Sequence, residues 1–165
     1  LSKLQKFEQH HQGSQVLLLK YLTYIIKEHY WLIMEITKKI YSEISAGELF
    51  DKISILEIKK SKIKDRTKRN IVLKELSSLQ ETVSQNIKKS RSLTNLYKKL
   101  KSVNLKLWKI EDDIRDYERE KNFKNKFIKL ARAVYFTNDE RSRVKNKINS
   151  LTKSNISEVK SYKKY

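Results

Sequence analysis

The chain has 165 residues and a formal net charge of +19, from 38 Lys and Arg against 19 Asp and Glu. It contains no proline, no cysteine and two glycines, so the residues that punctuate sandwiches, barrels and tight hairpins are nearly absent. This composition favours a single all-α domain. It excludes disulfide scaffolds, thiol catalysis and cysteine-ligated zinc.

The positive charge has two interpretations. It would attract a polyanion such as nucleic acid, an anionic membrane or an acidic protein. Lysine, however, outnumbers arginine 30 to 8, and an AT-rich genome would produce that bias without any ligand. Arginine is the better reader of phosphates and bases. A nucleic-acid or anion binder would use six cations within, or just before, a helix predicted over 93–118. They scatter around its outer faces and form no single stripe: Lys88, Lys89, Arg91, Lys98, Lys99 and Lys101.

Residues 1–33 differ from the rest because they hold all three histidines and only four lysines. The sole methionine is Met34, so one hypothesis is that residues 1–33 are a non-native extension upstream of the start. The alternative is an interfacial helix within Val16–Met34, which is rich in Tyr and Trp among apolar residues. No membrane span is expected, because four polar residues interrupt that stretch: Lys20, Lys27, Glu28 and His29.

The helical domain is expected over 34–151. Ser45 and Glu48 form a capping-box pattern that predicts a helix over 46–63, apolar on two sides and therefore central in a bundle. A polar joint separates it from a second helix over 68–86, with Val72, Leu76, Leu79 and Val83 as a seam. Residues 152–165 are expected to form a polar tail.

The third predicted helix, 93–118, has the clearest pattern. Its apolar residues step by three and four without interruption at Leu93, Leu96, Leu100, Val103, Leu107, Ile110, Ile114 and Tyr117. This heptad predicts a long coiled-coil-like hairpin with a fourth helix over 127–151, whose apolar side runs from Phe127 to Leu151. The fold class is therefore an antiparallel helical bundle, with self-association along the same surface as a further expectation.

Polar residues interrupt or flank these seams. A stripe on the third helix, acids on the first and polar groups on the fourth predict a cluster of carboxylates, guanidiniums and amides. It would serve as a hydrogen-bonded network that sets helix register, or as a groove that binds an anion or Mg²⁺. Its members are Glu48, Asp51, Glu57, Asn104, Trp108, Glu111, Asp112, Arg115, Arg132, Tyr135, Asn138 and Arg141.

Enzyme motifs are weak. Residues 112–116 spell D-D-x-x-D, a Mg²⁺-diphosphate pattern, but they lie in an acid-rich run and no second motif follows. After Met34 there is no His or Cys, which excludes catalytic triads and most metal hydrolases from the main domain.

Four groups of residues form a recognisable combination: Ser45–Lys59; Asn104, Leu107, Trp108, Ile110, Glu111, Asp112 and Arg115; Leu130–Tyr135 with Thr137, Asn138, Asp139 and Arg141; and Glu158–Tyr162. Together they resemble the motifs of a bacterial domain-of-unknown-function family of small helical proteins. The resemblance covers about residues 40–162, and residues 1–33 lie outside it. It implies a cytoplasmic protein with no established activity and no assigned catalytic residue.

The expected function is a non-enzymatic protein-interaction module that self-associates. The first alternative is a basic nucleic-acid or anion binder. The second is a Mg²⁺-dependent enzyme or accessory factor for phosphorylated sugars or nucleotides, with Glu57 and Glu111 at its centre. No cofactor is expected outside that last alternative.

Overall fold

The computed structural model describes residues 19–27 and 40–161. The chain forms two compact units, Leu1–Ser42 and Glu43–Tyr165. In the first unit a helical segment, α1, covers residues 19–27. The second unit is all-α, and its four helices are α2 (Ala46–Lys62), α3 (Arg66–Asn86), α4 (Arg91–Arg119) and α5 (Asn125–Thr152). The four helices predicted from the sequence are confirmed to within two residues at each end.

Helix α2 is central, as its two apolar sides predict. It packs against α3, α4 and α5, whereas α3 packs only against α2. Leu49, Ile53 and Leu56 form a core with Val72 and Leu76 of α3. Ala46 and Phe50 belong to the neighbouring core, which contains buried residues of α4 and α5: Leu93, Leu100, Val144 and Ile148.

The start of α2 is held by its own cap and by the end of α5. Ser45 Oγ accepts a hydrogen bond from the Glu48 amide at 3.2 Å, as the capping box predicts. The Glu48 carboxylate does not complete the box as expected, because it pairs with Lys145 instead. The Gly47 amide donates to Asn149 Oδ1 at 2.6 Å. The backbone carbonyl of Lys145 would lie 2.6 Å from a Cβ at Gly47, so the backbones of α2 and α5 approach closely here.

Helices α4 and α5 form the long hairpin. The Lys99–Glu140 ion pair and the short turn at 120–124 place them antiparallel. The predicted heptad faces inward, since Leu93, Leu100, Val103, Leu107 and Ile110 are all buried. On α5 the predicted apolar side is wrong at its last member, because Leu151 is 45% exposed beside the C-cap.

The far end of the hairpin, residues 111–136, extends past the core. No residue of this stretch is buried, although the heptad continues through Ile114 and Tyr117. We call it the distal arm. The seam residues of this stretch are only half-buried: Ile114, Tyr117, Phe127, Leu130 and Val134.

Among residues 19–27 and 40–161, no helix is long and apolar enough to cross a membrane. Residues 40–45 and 153–161 have no regular secondary structure. The remaining part of the predicted N-terminal extension lies outside the described residues.

Candidate functional site

The predicted polar cluster forms in part, around Asp51. Its carboxylate lies where α2 meets α4 and α5, and the residue is only 1% exposed. Arg141 Nε of α5 donates to Asp51 Oδ1 at 2.9 Å and to Oδ2 at 3.1 Å, and Arg141 Nη2 also contacts Oδ2. Asn104 Nδ2 of α4 donates to Asp51 Oδ1 at 2.7 Å. One carboxylate therefore joins three helices.

Two further residues, Ser54 and Asn138, bond to the side chains that contact this carboxylate. Asn104 Nδ2 also donates to Ser54 Oγ at 2.6 Å, and Ser54 Oγ donates to the Asp51 carbonyl at 2.8 Å. Arg141 Nη1 donates to Asn138 Oδ1 at 3.3 Å. The hydrogen bonds to Asp51 raise the pKa of Arg141 above its ordinary value, against the opposing effect of burial. The guanidinium thus stays charged beside Asp51.

The hydrogen-bonding capacity of the Asp51 carboxylate is almost fully used, and in this sense the polar cluster is closed. Four donor contacts reach the Asp51 carboxylate, which leaves little capacity for a metal ion or a proton-transfer step. Asn104 Oδ1 is buried without a hydrogen-bond partner, so the network is satisfied except at one acceptor. That this network sets helix register stays a prediction, which the contacts of one carboxylate with both α4 and α5 support.

A second ionic group lies next to the first along α5. Lys145 is 7% exposed and its ammonium pairs with Glu48 of α2 and, at 2.6 Å, with Glu158. Burial lowers the pKa of Lys145, but its hydrogen bonds to Glu158 and Glu48 outweigh burial, and the net direction is upward. The Lys145 ammonium lowers the pKa of Glu158. These pairs attach the segment after α5 to the start of α2.

The other predicted site residues lie elsewhere. Glu57 pairs with Lys101 of α4 at 2.5 Å. Burial raises the pKa of the Tyr97 hydroxyl, and the neighbouring Glu57 carboxylate raises it further. Trp108 is half-buried in an open groove on the outer side of α4. Arg132 donates to the Tyr135 hydroxyl at 3.2 Å on the exposed surface of α5.

The acids at the end of α4 form ion pairs within that helix, where Arg115 lies 3.4 Å from Glu111 and 3.8 Å from Asp112. Glu111 and Asp112 lie on the distal arm and are not part of the network around Asp51. The convergence of acids from α2 and α4 on which the Mg²⁺ alternative depends is not found. In the parts of the chain that the structure describes, no group of three or more His, Cys, Asp or Glu could hold a metal ion.

The six candidate cations are all exposed, but two of them are paired with acids. Lys99 pairs with Glu140 at 3.4 Å and Lys101 with Glu57. The remaining four are Lys88, Lys89, Arg91 and Lys98, spread over the α3–α4 joint and the first turns of α4.

Sequence reasoning missed several polar residues that hold the bundle together. Lys145 and Asn149 are buried on α5, and both face α2. Their spacing of four, in line with Arg141, was the available signal, since i and i+4 share a helix face. Ser154 Oγ accepts from the Ala46 amide at 3.1 Å, and nothing in the sequence around it indicates this contact.

A family model described as a family of unknown function (DUF6165) matches residues 40–165. No curated protein and no solved structure matches the chain. The matched residues include the whole four-helix unit with both ionic groups around α2. The chain belongs to the DUF6165 family.

Proposed function

We propose that this protein is a non-enzymatic interaction module that pairs with a second copy of itself through the distal arm. The observation that carries the proposal is that the apolar heptad residues of α4 are buried in the base of the hairpin and only half-buried in the distal arm. In the base of the hairpin, Leu100 is fully buried and Leu107 is 7% exposed. In the distal arm, Ile114 and Tyr117 continue the same heptad but are only half-buried.

Beside that seam, α4 carries a polar stripe with steps of four and three: Asn104, Trp108, Glu111, Arg115 and Glu118. Asn104 is buried against α2, Glu111 is half-buried, and Arg115 and Glu118 are exposed. On α5, Asn138 lies beside Arg141, and steps of three and four lead from it to Tyr135 and Ile128. The last two are 38% and 52% exposed. A partner helix on this face would continue the cover that α2 gives the base.

The charges of the distal arm favour a second copy as that partner. Residues 111–120 carry six acids against two arginines, while residues 121–136 carry five cations and no acid. The acidic end of α4 in one copy can therefore face the basic start of α5 in the other. A two-fold axis makes this contact twice, because in an isologous interface each patch meets its counterpart. Two hairpins paired in this way form a four-helix bundle.

The closed polar cluster supports a non-enzymatic role, since Asp51 is saturated and almost without exposure. No comparable observation favours the nucleic-acid alternative or the Mg²⁺ alternative.

The test is sedimentation velocity across a hundredfold range of protein concentration. The distal arm offers about 15 Å of two helices, which implies a modest interface and a dissociation constant of about 1–100 μM. Ile128→Ser should weaken the dimer by about tenfold, because it removes apolar contact on the proposed face. Ile71→Ser, at a position 65% exposed on α3, is the matched control and should leave it unchanged. A monomer at every concentration would overturn the proposal, as would equal effects of the two substitutions.

A further inference from the structure

Helix α1 exposes an unusual amount of apolar surface for its length. Within residues 19–27, five large side chains are between 46% and 65% exposed. They are Leu19, Tyr21, Leu22, Tyr24 and Ile26. Such a surface in so short a helix marks a site of contact with another molecule or with lipid.

The polar residues of α1 lie on one side. Lys20, Thr23 and Lys27 are spaced by three and four, so they share one helix face, and the Thr23 hydroxyl donates to the Leu19 carbonyl. Tyr21 and Leu22 lie on the opposite side. The segment contains no acid. An apolar face, a narrow cationic stripe and aromatic residues are together typical of a helix that lies in a membrane interface.

We propose that α1 binds the surface of an anionic lipid bilayer, with Leu22 and Ile26 in the acyl boundary and Lys20 and Lys27 among the headgroups. This inference is independent of self-association through the distal arm. Charge favours a lipid surface of this kind, since the chain carries a net +19 and anionic headgroups attract basic segments near them. Tyrosine suits the same depth, because its ring is apolar and its hydroxyl stays in water.

The flanking sequence is consistent with a helix that lies on the bilayer. Residues 16–34 are otherwise rich in apolar and aromatic residues, including Trp31, but Lys20, Lys27, Glu28 and His29 interrupt them. A crossing helix needs about 20 nearly uncharged residues. A surface helix tolerates such charges, because they remain at the headgroup level.

The experiment is flotation of the full chain with two kinds of vesicle, phosphatidylcholine alone and phosphatidylcholine mixed with phosphatidylglycerol. Leu22→Ser with Ile26→Ser removes apolar contact from α1 and keeps its charge. The matched control is Ile71→Ser with Leu73→Ser on α3, where the two residues are 65% and 36% exposed. Circular dichroism of every variant reports whether the four-helix unit stays folded, and α1 belongs to the other compact unit.

We expect the chain to float with the anionic vesicles and much less with the neutral ones. The double serine variant of α1 should partition at least about tenfold more weakly, and the α3 control should match the wild type. Absence of flotation would overturn the proposal. Equal binding by the α1 variant and the wild type would also overturn it, because attraction of the whole basic chain would then explain the binding. Equal flotation with both vesicles would refute the anionic preference.

Discussion

Arg141 of α5 donates hydrogen bonds from two guanidinium nitrogens to the carboxylate of Asp51 on α2, a residue that is only 1% exposed. Asn104 of α4 donates to the same carboxylate. A desolvated pair of this kind adds little net stability compared with an apolar replacement, but it is costly to break from one side. We therefore expect its main effect to be on the way in which the three helices meet.

Arg141→Met should therefore destabilise the protein by about 3 kcal/mol, because it leaves the Asp51 carboxylate buried without a cation. Urea unfolding followed by circular dichroism measures the loss. Arg143→Met is the matched control on the exposed side of the same helix, and it should change stability by less than about 0.5 kcal/mol.

The double variant Asp51→Leu with Arg141→Met gives the complementary result. It removes both charges, so we expect it to recover most of the stability lost by Arg141→Met alone. A single substitution that costs less than about 1 kcal/mol would contradict the register-setting role of the pair.

Periodicity made the helices predictable. The heptad from Leu93 to Tyr117 located α4 and its buried face, and the two apolar sides of α2 indicated its central place. Periodicity also suggested that Asp51, Asn104, Asn138 and Arg141 would share one region, and the structure brings these four together. Periodicity could not separate these four from Glu111 and Arg115, because the polar stripe of α4 continues from Asn104, which contacts α2, into the distal arm.

The contacts between α2 and the end of α5 could not be read from the sequence. They depend on how closely two helices approach, and that distance follows from Gly47, which has no side chain. The Lys145 carbonyl and Asn149 Oδ1 would lie 2.6 Å and 2.8 Å from a Cβ at Gly47. Residues 152–165 read as a polar tail, yet Glu158 reaches back to Lys145, and a long-range ion pair leaves no local pattern.

Gly47→Ala tests the close approach of α2 and α5. Alanine normally stabilises a helix by about 1 kcal/mol relative to glycine, but here the methyl group would meet the α5 backbone. We expect a net destabilisation of about 1–3 kcal/mol in urea unfolding. Asn70→Ala, on the exposed side of α3, is the control and should have no destabilising effect. An equal or greater stability of Gly47→Ala would show that α2 can move away from α5 at no cost.

Glu158→Gln tests whether the segment after α5 is held by charge. The pKa of Glu158 is lower in the folded chain because of the hydrogen bond from Lys145, so its contribution is present above the unfolded pKa and is lost as the pH falls through the folded pKa. The wild type should exceed the variant by up to about 1 kcal/mol near pH 7, a value limited by solvent screening at a side chain 39% exposed. That advantage should shrink from about pH 4 downward. An advantage of the same size at about pH 3 would rule out an ionic origin.

Self-association through the distal arm can be tested with two charge-reversed variants in one measurement. The first variant combines Glu111→Lys with Glu118→Lys on α4. The second combines Lys124→Glu, at the N-cap of α5, with Arg132→Glu on α5. The contacts that these side chains make within α4 and α5 are exposed and worth about 0.5 kcal/mol or less each, so both variants should remain folded.

Sedimentation velocity of each variant alone and of their equimolar mixture is the most direct test. Each variant would place like charges against each other in its own dimer, so each should remain a monomer at concentrations where the wild type pairs. In the mixture, the new lysines on α4 of the first variant face the new glutamates of the second. At the other contact, the unchanged acids on α4 of the second variant face the unchanged cations of the first, so a heterodimer should form. A mixture that stays monomeric while the wild type dimerises would contradict pairing of the acidic end of α4 with the basic start of α5.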